Sequence, residues 1–479
     1  MHKYLIMKGM NREILRLALP SILANITVPL VGMVDIAVAG HLDGGAALFI
    51  GAISVGSMLF DMLYWNFAFL RAGTGGLTAQ AWGRGDMRAC ARYLVRAVGL
   101  ALLMAALVLL LQLPYVGLCL KLVKGSPGVV GLARNYFLLR VWAAPATVSL
   151  MAFRGWFIGM QDTMSSMITD LIVNTVNIVA SIVLSLGAGG WQGMGFAGIA
   201  AGTVIAQYSG LAFALGRVAF KYGRLFRGFG GEDLRAALDH REMRSFMTLN
   251  SDLFLRSLGI TAIYIGFTVI SAQYGEMMLA CSAIIMKLLL LFSYFTDGFA
   301  YAAQALCGRY IGARDPSGTR AAVNGIFAWS MGIGMFFILL YWALGTPLLR
   351  LMTSDGAVVE AARQFLPWLM LMPPVGCAAF AWDGIYEGAT AARSMRNAMF
   401  GSMLGFFGLW WLLKATLLGN AGQPDGITGL AGADGAAAVA DYNALAIHCL
   451  LAAYFAHLAI RTIWLWVTCR RDILTRPFA

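Results

Sequence analysis

Twelve long apolar runs divide the chain, approximately 13–40, 46–71, 94–116, 135–158, 163–187, 194–218, 244–270, 277–303, 320–343, 358–387, 395–418 and 442–468. A helix crosses the hydrocarbon core of a bilayer in ~20 residues, so each run is long enough to span it. Backbone polar groups inside lipid must be satisfied within the segment, which makes these runs helices rather than open strands. A chain with 60% hydrophobic and 12% charged residues and a mean hydropathy of +0.74 cannot be an ordinary soluble domain. The expected fold is all-α and integral to a membrane, with twelve transmembrane helices.

The net charge of +12 would suggest nucleic acid in a soluble protein. Here the basic residues fall in the short connections, which positive-inside placement explains without such a partner. With the amino terminus inside, inner segments hold twenty-three Lys and Arg, against six outside: Lys121, Lys124, Arg134, Arg350, Arg363 and Lys414. Both termini are therefore expected in the cytoplasm, in a multi-pass inner (cytoplasmic) membrane protein. The start lacks a short apolar core with a cleavage site, so no removable signal is expected. The connection from Phe220 to Arg244 is basic and amphipathic, as an interfacial helix would be. Gly419–Asn443, rich in Gly, Ala and Asp, reads as a mobile outer loop. The seven cysteines are scattered singly and read as packing residues.

The two halves repeat. GRGD at Gly83–Asp86 returns as GARD at Gly312–Asp315, and RGWFIG at Arg154–Gly159 returns as DGIYEG at Asp383–Gly388. Pro145 returns as Pro374, and all three matches share one offset of 229 residues. Six spans per half is an even number, so both copies enter the membrane in the same direction and are related by an axis along its normal. This predicts two pseudo-symmetric six-helix lobes, 1–218 and 244–479, joined by a cytoplasmic linker at 219–243, with a cleft between them.

Charges inside spans are expensive and mark function by default. From Leu15 to Leu42 the first span holds, beyond Arg16 at its start, a single charge, Asp35, placed after a bend expected at Pro29 and Gly32. Polar residues able to share its interior are Asn25, Tyr136, Asn174, Asn177, Ser181 and Thr203. Asn174, Asn177 and Ser181 follow an i, i+3, i+7 spacing and so lie on one helical face. In the second half, Asp252, Arg256, Lys287, Asp297 and Asp383 are candidates for an ion or substrate site; Asp61 and Asp170 are further charges within spans of the first half. Asp252 and Arg256 are spaced for an i, i+4 salt bridge. Lys287 is expected to pair with an acid of a neighbouring span, and Asp383 with Arg154, its counterpart in the repeat, as an ionic latch between lobes. Asp35 and Asp61 have Tyr264 and Leu290 as counterparts, so the first half's acids have no partner acids in the second.

LALPSILANITVPLVGMVDIAVAGHL, YWNFAFLRAGTGGLTAQAWGRGD, GMGFAGIAAGTVIAQYSG and YFTDGFAYAAQALCGRYIGARD resemble the multidrug and toxic compound extrusion (MATE) transporters, closest to the DinF-like branch. The resemblance covers all twelve spans. It implies outward extrusion of organic cations or other amphipathic compounds in exchange for protons, with sodium as the alternative. Asp35 matches the first-span aspartate that the branch is thought to protonate, and Tyr136, Asn177 and Thr203 match polar residues lining the same lobe. Ser181 stands where several relatives carry a second aspartate, and Gln304 where the branch often has a glutamate. Asp252 and Asp383 lie on the spans that some relatives use for sodium. A small-molecule substrate, the lipid bilayer, a monomer, no nucleic acid and no cofactor are the corresponding expectations. A flippase for lipid-linked saccharides or peptidoglycan precursor is the alternative function, and would want a cluster of Arg and Lys for pyrophosphate. No HExxH, GxSxG or metal-spaced His or Cys cluster points to an enzyme.

Overall fold

The computed structural model describes residues 2–42, 45–122, 126–353, 355–419 and 433–474. Its helices are α1 (His2–Gly40), α2 (Ala46–Tyr64), α3 (Ala68–Gly83), α4 (Met87–Leu110), α5 (Gln112–Leu122), α6 (Pro127–Arg140), α7 (Ala144–Gly159), α8 (Thr163–Leu186) and α9 (Phe196–Phe226). After the short α10 (Gly231–Ala237) come α11 (His240–Ser271), α12 (Glu276–Gly312), α13 (Pro316–Met352), α14 (Gly356–Arg363), α15 (Leu366–Gly388), α16 (Ala392–Leu413) and α17 (Ala433–Cys469). Eleven helical segments among the described residues are long and apolar enough to cross a membrane, and α14 with α15, bent by 55°, makes the twelfth. Each coincides with one expected span. The second span is α2 and α3 joined by a tight turn at Trp65–Phe67, and the fourth is α6 and α7. The expected outer loop at Gly419–Asn443 is shorter than it reads: α17 already begins at Ala433, while 420–432 lie outside the described residues. Pro20 and Pro29 both sit inside the continuous helix α1.

The repeat holds at the level of single residues. α3 and α12 end at Gly83 and Gly312, α4 and α13 begin after the N-caps Asp86 and Asp315, and α8 and α16 begin at Thr163 and Ala392, each pair 229 apart. Contacts repeat too. A Cβ on Gly83 would fall on the carbonyl of Arg309, and one on Gly312 on the carbonyl of Gln80, the offset counterparts of each other. The two helices therefore cross backbone to backbone about the pseudo-two-fold axis. Within the lobes, Gly155 on the Arg71 carbonyl is matched by Gly384 on the Ala300 carbonyl. Apolar side chains gain nothing by leaving lipid for a helix interface, so such bare crossings are how membrane helices approach closely.

Hydrogen bonds and ion pairs between the halves cluster toward the end where α1 starts and α3 and α12 finish. Arg309 reaches Glu13 at 3.2 Å, Trp329 donates to Asn11, Gln80 donates to the Gly388 carbonyl at 2.9 Å, and Gln161 donates to the Ala305 carbonyl at 2.8 Å. The fully buried Gln304 donates to the Ala72 carbonyl at 2.7 Å. The series stops near mid-height with Asn25 on the Tyr294 carbonyl and Thr261 on Asn66. Beyond that, toward His41, no hydrogen bond or ion pair joins the halves among the described residues. α3 packs against α12, α11 and α15, whereas α2 packs within its own half, against α6 and α1. The lobes are thus sealed at the terminus end and part toward the other.

Candidate functional site

α1, α6, α8 and α9 bring Asp35, Tyr136, Asn177, Ser181 and Thr203 together in the first lobe. Asn177 donates to Thr203 Oγ1 at 3.0 Å, and Thr203 donates back to the Ile199 carbonyl. Asp35 is 6% exposed, with Ser181 beside it and Tyr136 and Arg140 within its electrostatic reach. Even so, Asp35 Oδ1, Ser181 Oγ and Asn177 Oδ1 are buried without hydrogen-bond partners, and no ion pair to Asp35 forms among the described residues. A buried polar atom left unpaired is costly and needs a reason. The polar stripe of α8 faces inward as its spacing requires: Asn174 donates to Thr27 of α1, Asn177 meets α9, and Ser181 meets Asp35. Asn25 is not part of this group, since it bonds to Tyr294 across the lobe boundary.

Tyr136, Phe60, Phe137, Tyr64 and Phe196 form an aromatic wall there. Arg140 enters this wall one turn after Tyr136. It donates to the Tyr136 hydroxyl at 2.8 Å and lies over the Phe60 ring at 4.6 Å. The sequence reading missed Arg140; its position inside an expected span was the available signal.

The second lobe is wired differently from the expectation. Asp252 does not pair with Arg256; it pairs with Arg396 of α16. Arg256 instead meets Asp383 at 2.7 Å and Glu387 at 3.8 Å, because α15 presents both acids to it at close range. Asp383 is also 3.5 Å from Arg461 of α17. Local i, i+4 spacing is worth only ~0.2–0.5 kcal/mol in isolation, and packed partners on other helices override it. The latch between Arg154 and Asp383 is likewise absent: Arg154 pairs with Asp170 at 2.5 Å inside its own lobe. The ion pair that joins the lobes near this depth is Arg71–Glu387, at 3.6 Å, with Arg71 also bonded to Gln304 and stacked on Tyr301 at 4.3 Å. Asp297 lies in the field of Arg71 and Arg256. Lys287 is exposed and has no ion pair among the described residues, contrary to its expected pairing. Arg71 and Glu387 were passed over in sequence because they sit at the ends of expected spans, where a charge reads as solvated; Arg461, well inside 442–468, was missed without that reason.

Two further acids cap helices outside the spans. Burial pushes the Asp162 carboxyl up, but hydrogen bonds from Lys221 at 2.6 Å, Ser165 and Tyr222 outweigh it and hold the group below its ordinary value. The backbone N–H of Gly318 and the Ser317 hydroxyl hold the Asp315 carboxyl low in the same way.

Comparison with known proteins gives consistent results. The MatE family model matches residues 20–183 and 253–411, one copy in each half. DNA damage-inducible protein F of Escherichia coli (strain K12) is 37% identical over 410 residues, covering 86% of this chain and 87% of that protein. A probable multidrug resistance protein NorM of Thermotoga maritima is 23% identical over 363 residues, 74% of each. The crystal structure of the Vibrio cholerae MATE transporter VcmN in the bent form is similar in fold, with a TM-score of 0.77 at 15% identity over 98% of both chains.

Proposed function

We propose, from the premise that this chain belongs to the MATE family of membrane transporters, that it is a proton-coupled antiporter whose coupling group is Asp35. The observation that carries the reading is the contrast between acids. Asp35 is buried with one oxygen unbonded and no ion pair, while Asp252, Asp383 and Glu387 are each engaged by arginine. A carboxylate already neutralised by a tethered guanidinium has little left to offer a mobile cation. This favours protons at Asp35 over sodium at Asp252 and Asp383. The same pairing leaves Arg71, Arg256 and Arg461 occupied, which weighs against a pyrophosphate-binding cluster and hence against the lipid flippase.

Protonation of Asp35 removes its charge from the first-lobe cavity, lets α1 bend at Pro29 and narrows the space between α1, α6 and α8, expelling the substrate. Solved MATE structures of similar fold stand in a bent and in a straight conformation, which supports such a movement. The aromatic wall around Tyr136 suits amphipathic or cationic organic compounds. Lys and Arg placement puts the sealed terminus end in the cytoplasm, so the lobes, 1–218 and 244–479, part toward the outside of the inner membrane. The linker at 219–243 stays on the cytoplasmic side, and the chain acts as a monomer. A ligand shifts an equilibrium only by its differential affinity for the two states, so Asp35 must hold its proton more tightly in one lobe arrangement than in the other.

The test is efflux of ethidium from proteoliposomes under a proton or a sodium gradient, for the native chain and Asp35→Asn. Proton-driven efflux lost in the variant is the expected result. Sodium-driven efflux that survives it would move coupling to Asp252 and Asp383, and no efflux under either gradient would return weight to the flippase.

A further inference from the structure

Asp61 and Lys287 are charged groups near mid-span that the mechanism above does not use. Both are exposed, and neither has an ion pair among the described residues. Asp61 nevertheless lies in the electric field of Arg140 of its own lobe and, to a smaller extent, of Lys287, and Tyr264 and Tyr294 of the second lobe lie in the field of Asp61. The two opposite charges therefore stand within electrostatic reach of each other on helices of different lobes, with no ion pair between them among the described residues.

Their heights match. The counterpart of Asp61 under the repeat is Leu290, and Lys287 is three residues, or one turn, before it on α12. Asp61 stands on α2, just beyond the break at Trp65–Phe67, on the part of the second span that packs within its own lobe. Below the break, α3 crosses α12 backbone to backbone at Gly83 and Gly312. Between these levels lies the ion pair of the half-buried Arg71 and the buried Glu387.

We propose that Asp61 and Lys287 are the outer gate of the transport cycle, pairing across the cleft when the Arg71–Glu387 pair at its base separates. The inference rests on the alternating-access reading above. Its physical ground is desolvation: while the outer mouth is open, water serves both charges, but closing it removes that water. Mid-membrane charges without water need a partner, and each is the opposite charge at matching height on the facing helix. The Arg71–Glu387 pair is the formed member of the same exchange in the present state. One pair is made as the other is lost, and Glu387 keeps Arg256 when Arg71 leaves it.

The test is a charge-reversal cycle in proteoliposomes, reading the initial rate of gradient-driven ethidium efflux together with the melting temperature of each variant. Asp61→Lys and Lys287→Asp should each slow efflux by about fivefold or more, and the double reversal should recover to within about twofold of native, as contacting charges couple. Single reversals at native rate overturn the proposal, as does a natively folded double reversal no faster than the slower single one. Asp61→Asn, Lys287→Gln and their double form give the same cycle without reversed charge, and serve where a reversal does not fold. If the native chain moves no ethidium under either gradient, the antiporter reading falls and the gate with it; efflux by the native chain without rescue sinks the gate alone.

Discussion

The two lobes bury acids to nearly the same degree, Asp35 to 6% exposure and Asp383 to 8%, yet treat them in opposite ways. Asp383 lies between Arg256 and Arg461, with Glu387 bridging onward to Arg71. Asp35 has Ser181 beside it and Arg140 within electrostatic reach but no ion pair among the described residues, and the two acids share an unbonded buried Oδ1, so the difference between them is the ion pairs alone. An acid held between two guanidiniums serves as structure. An unpaired one is free to exchange a proton, and its surroundings feel the change. The two halves are copies of one scaffold, and on the proposed reading the difference in pairing separates the lobe that would couple from the lobe that holds.

Asp35→Asn carries the largest expected effect on function and the smallest on folding. Proton-driven efflux should fall to the level of empty vesicles, with no drop in melting temperature, since the amide removes a buried charge that has no partner to lose. Retained efflux would break the contrast outright. Asp383→Asn should do the reverse. It leaves the buried Arg461 without its ion-pair partner and Arg256 with Glu387 alone, an imbalance that typically costs about 3–5 kcal/mol, measurable as a loss of melting temperature in detergent. A melting temperature unchanged by this substitution would mean that the second-lobe network is not structural.

The sealed crossing offers a comparison in which the lobes should agree. Gly83→Val and Gly312→Val each force a side chain onto a facing carbonyl, and overpacking of this kind costs about 1–3 kcal/mol. Pseudo-symmetry makes the two losses equal within about 0.5 kcal/mol, the ordinary error of additivity. A large difference in melting temperature between them would show that the axis does not pass through the crossing.

Much of this was legible in the sequence. Hydropathy located every span, because the bilayer imposes one length and one secondary structure on each. The single offset of 229 is kept by helix ends, caps and glycine contacts alike. Asp35, Tyr136, Asn177, Ser181 and Thr203 come together because their helices are neighbours in each lobe of such a bundle. Charge pairing was not legible. The partners Arg396 for Asp252 and Arg461 for Asp383 lie far along the chain, and which helix faces which is a property of packing rather than of spacing. Arg71 and Glu387 stood at span ends, where a charge reads as solvated, and only the position of Arg140 inside an expected span set it apart.

The smallest effect separates the lobes again, at equivalent helix starts. Asp162 caps α8, accepting from the backbone N–H of Ser165 at 3.2 Å, while its counterpart Ala391 stands before α16 with no side chain to cap it. Asp162→Ala should cost about 1 kcal/mol, the usual value of an N-cap, and Ala391→Asp should add about 0.5–1 kcal/mol to the second lobe. The two caps also predict a pH dependence with a definite sign. The Asp162 carboxyl is held below its ordinary value in the fold, so its contribution is fully present above a pH of about 4 and is lost as pH falls through the lowered value. Acid melting curves should therefore converge for the native chain and Asp162→Ala at the lowest pH and separate above it. Curves that stay parallel throughout would mean that Lys221 and Tyr222 hold this corner without the carboxylate, leaving the first lobe no better capped than the second.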